Sequence, residues 1–163
     1  MQKKNHPANI LIVDDEETIR FSLRGILEDE GYAVLEAPSG EEGLELIRHN
    51  EIDLVFLDIW LPGLDGLQVL ERIRDDYPHM PVLMISGHAT IDHAVSALKK
   101  GAYDFIEKPL SLEKTLIAAS KAMEFKALQR ENQALRLSLP VRRDEELLGE
   151  SAPMRVLRLE MDK

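Results

Sequence analysis

The chain has 163 residues, 44% hydrophobic and 31% charged, with a formal net charge of −10 and no cysteine. That length allows one domain plus an extension, or two very small domains, and the apolar fraction suffices for a packed core. The acidic balance argues against a broad nucleic-acid footprint, the lack of cysteine excludes disulfides and thiolate metal sites, and no stretch approaches the ~18 apolar residues of a membrane span, so the expectation is a soluble, cytoplasmic protein.

From the N-terminus, Ile10-Leu11-Ile12-Val13 reads as a strand that ends on Asp14-Asp15. Ile19, Leu23, Ile26 and Leu27 then recur at helical spacing, and Gly31 stands where that helix should stop. Ala33 to Ala37 is a short second strand. Ser39-Gly40-Glu41-Glu42 has the pattern of a capping box, with Leu44, Leu46 and Ile47 behind it. Leu54-Val55-Phe56-Leu57 is a third strand ending on Asp58, and Pro62-Gly63 with Asp65-Gly66 marks a loop. Leu67, Leu70, Ile73 and Arg74 predict a helix that ends before Pro78. Pro81 opens a fourth strand, Val82-Leu83-Met84-Ile85, which leads to Ser86 and is closed by Gly87. Ile91, Ala94, Val95 and Leu98 then place a helix stopped by Gly101. A short fifth strand around Asp104 to Glu107 leads to Lys108-Pro109, and Ser111 can cap a final helix.

Five βα units in about 115 residues predict a three-layer, mostly parallel α/β fold. Parallel strands bring Asp14, Asp15, Asp58, Ser86 and Lys108 to the same carboxyl edge, where open α/β sheets bind ligands. Three carboxylates there repel one another unless a divalent cation sits among them, and hard oxygen donors suit Mg²⁺. The lysine adds a fixed positive charge and the serine a donor. That is a site for an incoming phosphoryl group. Taken singly, each piece has a bland explanation: an Asp-Asp pair caps a helix, Ser-Gly makes a turn, and Lys-Pro is a solvated charge before a loop proline. Four successive units with the right chemical type at one edge are not explained that way.

Beyond about Leu112, helix-favouring residues run without Gly or Pro until Pro140. Phe125, Leu128, Asn132, Leu135 and Leu139 step alternately by three and four residues, a heptad seam with Asn at an a position, which favours a parallel dimer in one register. Glu131 at g and Arg136 at the following e′ position can pair across chains. The alternative is a helix that packs the same seam on its own domain. The segment from Val141 to Lys163 is charged, with scattered apolar positions.

Four motifs carry a family resemblance: Ile12-Val13-Asp14-Asp15-Glu16, Leu57 to Gly66, Ile85-Ser86-Gly87-His88, and Phe105-Ile106-Glu107-Lys108-Pro109. Through them, Asn9 to about Leu128 resembles a response-regulator receiver domain of two-component signalling. The stretches Met84 to His88 and Gly101 to Pro109 resemble the NtrC and especially the NtrX branch of nitrogen regulation. Glu145 to Met154 is similar to the entry into the AAA+ domain of those sigma-54 activators, although neither its phosphate-binding loop G-x-x-x-x-G-K-[ST] nor a helix-turn-helix occurs here.

The resemblance implies a doubly wound, five-stranded parallel sheet of CheY-like, flavodoxin-like type in the order 2-1-3-4-5, with an extended C-terminal helix. It divides the chain into a receiver domain over 8–125, a helical coiled-coil linker over 126–140, and over 141–163 a linker and the start of an AAA+ domain. It implies that Asp58 accepts a phosphoryl group from a sensor histidine kinase. Asp15 and Asp58 would ligate Mg²⁺ directly, Asp14 through water, and the backbone carbonyl of Trp60 would complete the protein's share. Ser86 and Lys108 would bond the phosphoryl oxygens, Ser86 and Phe105 would form the switch, and Pro109 is a candidate for a cis peptide. The parent protein would carry AAA+ and DNA-binding domains and act on transcription, with a homodimer as its form. The fragment itself would contact neither nucleic acid nor membrane, and would be a slowly autodephosphorylating signalling domain, not an enzyme.

Two positions depart from the commoner family pattern. Phe105 stands where Tyr is common and has no hydroxyl to bond when its ring turns inward, and Ser86 stands where Thr is also common and lacks the methyl that stiffens the rotamer. A dehalogenase-like Mg²⁺ phosphatase would need a D-x-D pattern after the first strand, which Asp14-Asp15-Glu16 lacks. The complete set of site residues speaks against a pure dimerisation scaffold. A flavin carrier of the same fold is disfavoured because Asp-Asp-Glu would repel the phosphate.

Overall fold

The computed structural model describes residues 7–138 apart from Ala89. Five strands alternate with five helices: β1 (Asn9–Val13), α1 (Glu17–Asp29), β2 (Ala33–Ala37), α2 (Gly40–His49), β3 (Leu54–Asp58), α3 (Gly66–Asp76), β4 (Val82–Ser86), α4 (Ile91–Lys99), β5 (Asp104–Glu107) and α5 (Leu112–Ser138). The strands form one parallel sheet in the order β2-β1-β3-β4-β5, the doubly wound arrangement expected above. Every residue of β3 and β4 is buried, as central parallel strands covered on both faces require, whereas the edge strands β2 and β5 are only partly covered.

The two-residue period of the strands sorts their side chains into two cores. Leu11, Val13, Val55, Leu57, Val82 and Met84 pack with Val69, Leu70 and Ile73 of α3. Ile10, Ile12, Leu54, Phe56, Leu83 and Ile85 pack with Leu23 and Leu27 of α1 and with Ala118, Ala119 and Ala122 of α5. The polar residues of interest stand where these runs stop, so both cores hold them from below.

The predicted helix boundaries have identifiable physical causes. Gly31, at φ 95, takes the left-handed conformation that ends α1. Ser39 accepts a hydrogen bond from the backbone N–H of Glu42, which is the N-cap half of the expected capping box without the reciprocal bond from the Glu42 side chain. Two further caps were not anticipated. Asp65 and Gln68 form a reciprocal capping box on α3, and Thr90 and His93 form another on α4.

In α4 the apolar stripe does not face the core. Ile91, Val95 and Leu98 are exposed and only Ala97 is fully buried, so this helix is held lightly. Periodicity identified the helix correctly, but its most apolar side lies toward solvent.

The C-terminal helix is long, as expected, and continuous from Leu112 to Ser138. Its first part belongs to the receiver, whose compact unit runs through Gln129, a little past the boundary expected at 125. Phe125 packs at 5.2 Å between ring centroids against Tyr103, and Lys126 Nζ reaches Asp53 Oδ1 at 3.1 Å and the Ile52 carbonyl at 3.3 Å. The first residue of the heptad seam is therefore engaged within its own domain. Leu128, Asn132 and Leu135 are exposed, and Leu139 lies outside the described residues, as does the whole segment 141–163. No helix among the described residues is long and apolar enough to cross a membrane.

Candidate functional site

Asp14 follows the last residue of β1, Asp58 is the last of β3, Ser86 the last of β4, and Lys108 follows β5. The register pairs Asp58 with Ile85 and Ser86 with Glu107, so all four arrive at one edge of the sheet. Carboxylate oxygens of Asp14, Asp15 and Asp58 lie within 4.8 Å of one another, a group of the size that holds one cation. Asp14 and Asp58 are buried while Asp15 is exposed, which leaves the cluster open to solvent on one side.

Lys108 closes the cluster from β5. Its Nζ lies 2.9 Å from Asp14 Oδ2, 3.6 Å from Asp58 Oδ2 and 3.5 Å from Glu16 Oε1. The approach to Asp14 has ion-pair distance without hydrogen-bonding direction, so buried Asp14 Oδ2 has no hydrogen-bond partner. An oxygen in that condition is one a cation or its water would satisfy. The other Asp14 oxygen accepts the backbone N–H of Glu16 at 2.8 Å.

The electrostatics follow from this crowding. Burial, then the charge of Asp14, pushes the Asp58 carboxyl up to about 6, against the partial opposition of Lys108 and the Trp60 N–H. Burial also raises Asp14, less the relief from the Glu16 N–H and Lys108. For Lys108, burial alone would lower the ammonium's pKa, but the close Asp14 carboxylate and the charges of Asp58 and Glu16 outweigh it and the net shift is upward. One lysine does not neutralise three clustered carboxylates. The donor set fits a hard divalent cation.

Ser86 is fully buried, and its Oγ accepts the backbone N–H of His88 at 3.2 Å. That bond uses a lone pair and leaves the hydroxyl hydrogen to donate. Phe105 is half-buried beside the α3-side core, and together with Ile91, Ala94 and Ile117 it lines a groove of about 510 Å³ between α4, β5 and α5. The Lys108-Pro109 peptide is cis, in line with what the family resemblance implies.

The loop after Asp58 alternates about its path. Ile59 and Leu61 are buried, so Trp60 between them is thrown outward and is 47% exposed. Its backbone N–H reaches Asp58 Oδ1 at 3.3 Å. Glu41 of α2 holds the far end of that loop by accepting the Leu64 N–H at 3.3 Å, and Arg20 of α1 pins the acidic loop by donating to the Asp14 carbonyl at 2.7 Å. Sequence reading missed Glu41 because it acts on a backbone group 23 residues away, and Arg20 because a side chain donating to a carbonyl six residues back leaves no recognisable spacing. Glu16 was also missed, although a third acid in Asp14-Asp15-Glu16 was a visible signal.

Residues 10–120 match the response regulator receiver domain family, about two-thirds of the chain. The chain belongs to that family. Among solved structures, this receiver is similar to the receiver domain of NtrX from Brucella abortus, with 49% identity, a TM-score of 0.68, and coverage of 71% of this chain and 98% of that one. A beryllofluoride-activated NtrC4 receiver domain dimer is similar at 41% identity and a TM-score of 0.70, covering 72% of this chain and 98% of that one. The nitrogen assimilation regulatory protein NtrX of Azorhizobium caulinodans is 43% identical over 158 residues, covering 95% of this chain and 34% of the relative. The receiver chain thus spans about a third of the length of the curated NtrX-type relatives it matches.

Proposed function

We propose that this chain is the phosphoacceptor module of a two-component response regulator of the NtrX type, taking a phosphoryl group from a sensor histidine kinase onto Asp58. The observation that supports this most directly is the clustering of Asp14, Asp15 and Asp58 within 4.8 Å, faced by Lys108. A carboxylate oxygen of Asp58 forms the new O–P bond as the P–N bond to the kinase imidazole breaks, and the electron pair stays on that imidazole nitrogen. Lys108 and the free hydroxyl hydrogen of Ser86 receive the phosphoryl oxygens. Asp15 and Asp58 would hold Mg²⁺ directly, Asp14 through water, with the Trp60 carbonyl as a further ligand. The cation would supply charge neutralisation for both the carboxylates and the phosphoryl oxygens.

The module is a signalling domain that does not turn over a substrate, and its phosphate is lost slowly. It acts in the cytoplasm, where in a longer regulator it would control a sigma-54-activating AAA+ ATPase joined to a DNA-binding domain. Ser86 and Phe105 serve as the switch, with packing of the Phe105 ring in place of a hydroxyl bond. Incubation with acetyl phosphate and Mg²⁺ followed by mass spectrometry tests the proposal. One labile phosphate on Asp58 supports it. Sustained turnover would indicate a phosphatase, and no adduct a scaffold.

Mg²⁺ should bind before any phosphate arrives, because Lys108 alone leaves the carboxylates under-neutralised. At about a hundred times its Kd the cation should stabilise the protein by about 2–3 kcal/mol, seen as a rise in melting temperature. Asp15→Ala should lose most of that rise. Equal shifts in the two proteins would place the cation elsewhere.

A homodimer joined along the exposed part of α5 follows from the seam at Leu128, Asn132, Leu135 and Leu139. A chain ending at Gln129 keeps the Tyr103–Phe125 and Asp53–Lys126 contacts and should remain folded. Light scattering should find it a monomer or a much weaker dimer. An unchanged dimer would mean that a receiver face holds the copies together.

A further inference from the structure

We propose that His93 of α4 is a positioning residue of the Asp58 site, holding the Trp60 indole across the approach to that site. The inference rests on Asp58 being the phosphoacceptor only for its kinetic consequence; the contact between the two rings stands on geometry alone.

The two rings meet at 4.8 Å between centroids with an interplanar angle of 83°, the T-shaped arrangement that aromatic quadrupoles favour. Trp60 lies two residues beyond Asp58 on the loop after β3, and His93 lies in the first turn of the helix after β4. The contact therefore joins the loop after β3 to the start of the helix after β4, the strand that ends on Ser86. On the Trp60 side, buried Ile59 and Leu61 determine which way the indole leaves the backbone. Across the gap, the imidazole is itself held. His93 Nδ1 accepts the Thr90 backbone N–H at 3.2 Å, and Thr90 Oγ1 accepts the His93 backbone N–H at 3.3 Å.

Nothing in the capping box itself calls for an imidazole, since Glu and Gln are the usual residues at this place. Its ring adds what those side chains cannot, a flat partner for the indole. Because α4 fully buries only Ala97, core packing holds it lightly, and the ring contact ties its first turn to the Asp58 loop. Displacing α4 would release the indole, and a change at Asp58 that moves the indole would in turn reach α4. Access to the site and the position of α4 are thereby linked through one pair of rings.

Trp60 is the sole tryptophan, so its fluorescence reports this contact without labelling. The full chain is compared with His93→Gln, which can keep the capping box but loses the ring, and with His93→Phe, which keeps a ring but loses the box. In the unphosphorylated proteins, acrylamide should quench His93→Gln about twofold more strongly than the parent, with His93→Phe between them. After phosphorylation by acetyl phosphate, His93→Gln should lose phosphate about threefold faster or more, as water gains access to the in-line position. In a Trp60→Ala background the same His93→Gln change should alter that rate by less than about a factor of two, because its effect passes through the indole. Unchanged quenching in His93→Gln overturns the proposal whether or not Asp58 is phosphorylated. A rate effect of equal size with and without Trp60 overturns it too, since His93 would then act by another route. A parent protein that takes no phosphate would instead refute the phosphoacceptor reading and leave the quenching comparison to decide the placement of the indole.

Discussion

Asp58→Asn should abolish phosphorylation and, in metal-free solution at neutral pH, make the protein more stable. The first effect is removal of the proposed nucleophile. The second comes from relief of a buried carboxylate whose pKa is pushed up to about 6 by burial and by Asp14. An acid whose folded-state pKa exceeds its unfolded value holds its proton more tightly when folded. Its ionisation therefore costs stability as pH rises from the unfolded value towards 6, and the full cost is present above that range. Relative to Asn, the parent should lose roughly 1–3 kcal/mol between pH 4 and pH 8, and Asp14, also raised, should add to the slope in both proteins. Denaturant titrations of parent and variant in a chelating buffer across that range measure the difference directly. Saturating Mg²⁺ should reverse the order at pH 8, because the parent has one more carboxylate to bind it. A labelled adduct that persists on the Asn variant would remove Asp58 from its assigned role. A stability difference that stays flat with pH would show that the carboxyl is not the strained group inferred here.

Gly66→Ala should be among the most damaging small substitutions in the molecule. A Cβ at Gly66 would lie 2.1 Å from the carbonyl oxygen of Asp58 and 2.7 Å from the Cα of Ile59. Both are backbone atoms, and neither can easily move. Ile59 N–H is bonded to the Ile85 carbonyl at 3.1 Å, and Gly66 N–H to the Ile59 carbonyl at 2.9 Å. Relief requires either sliding the start of α3 or tilting the end of β3, which carries Asp58. The expected cost is about 3 kcal/mol or more, with a fall in melting temperature on the order of 10 °C and a loss of phosphorylation in whatever remains folded. Gly25→Ala is the matched control, since a Cβ there meets nothing within 4 Å on the exposed side of α1. It should be stabilising by about 0.5–1 kcal/mol through helix propensity. Comparable melting temperatures for the two variants would contradict the close packing of α3 on the Asp58 loop.

The order and type of the elements are legible in the chain alone, because each strand is a short apolar run ended by a polar or turn residue and each helix has its own period. So are the chemical groups that reach the carboxyl edge. Parallel strands must end on the same side, so Asp14, Asp58, Ser86 and Lys108 could be placed together before any coordinate was known. The tertiary structure decided the rest. Periodicity shows that α4 has an apolar stripe, but only the packing turned that stripe outward, since a stripe does not specify what covers it. Heptad spacing favours Phe125 in a dimer seam over packing on its own domain, yet the ring of Tyr103, brought near by β5, engages it within the receiver. Glu41 at the Leu64 N–H and His93 at the indole of Trp60 each join segments distant in the chain. Such contacts leave no local pattern, because their geometry exists only after the sheet has brought the loops to one edge.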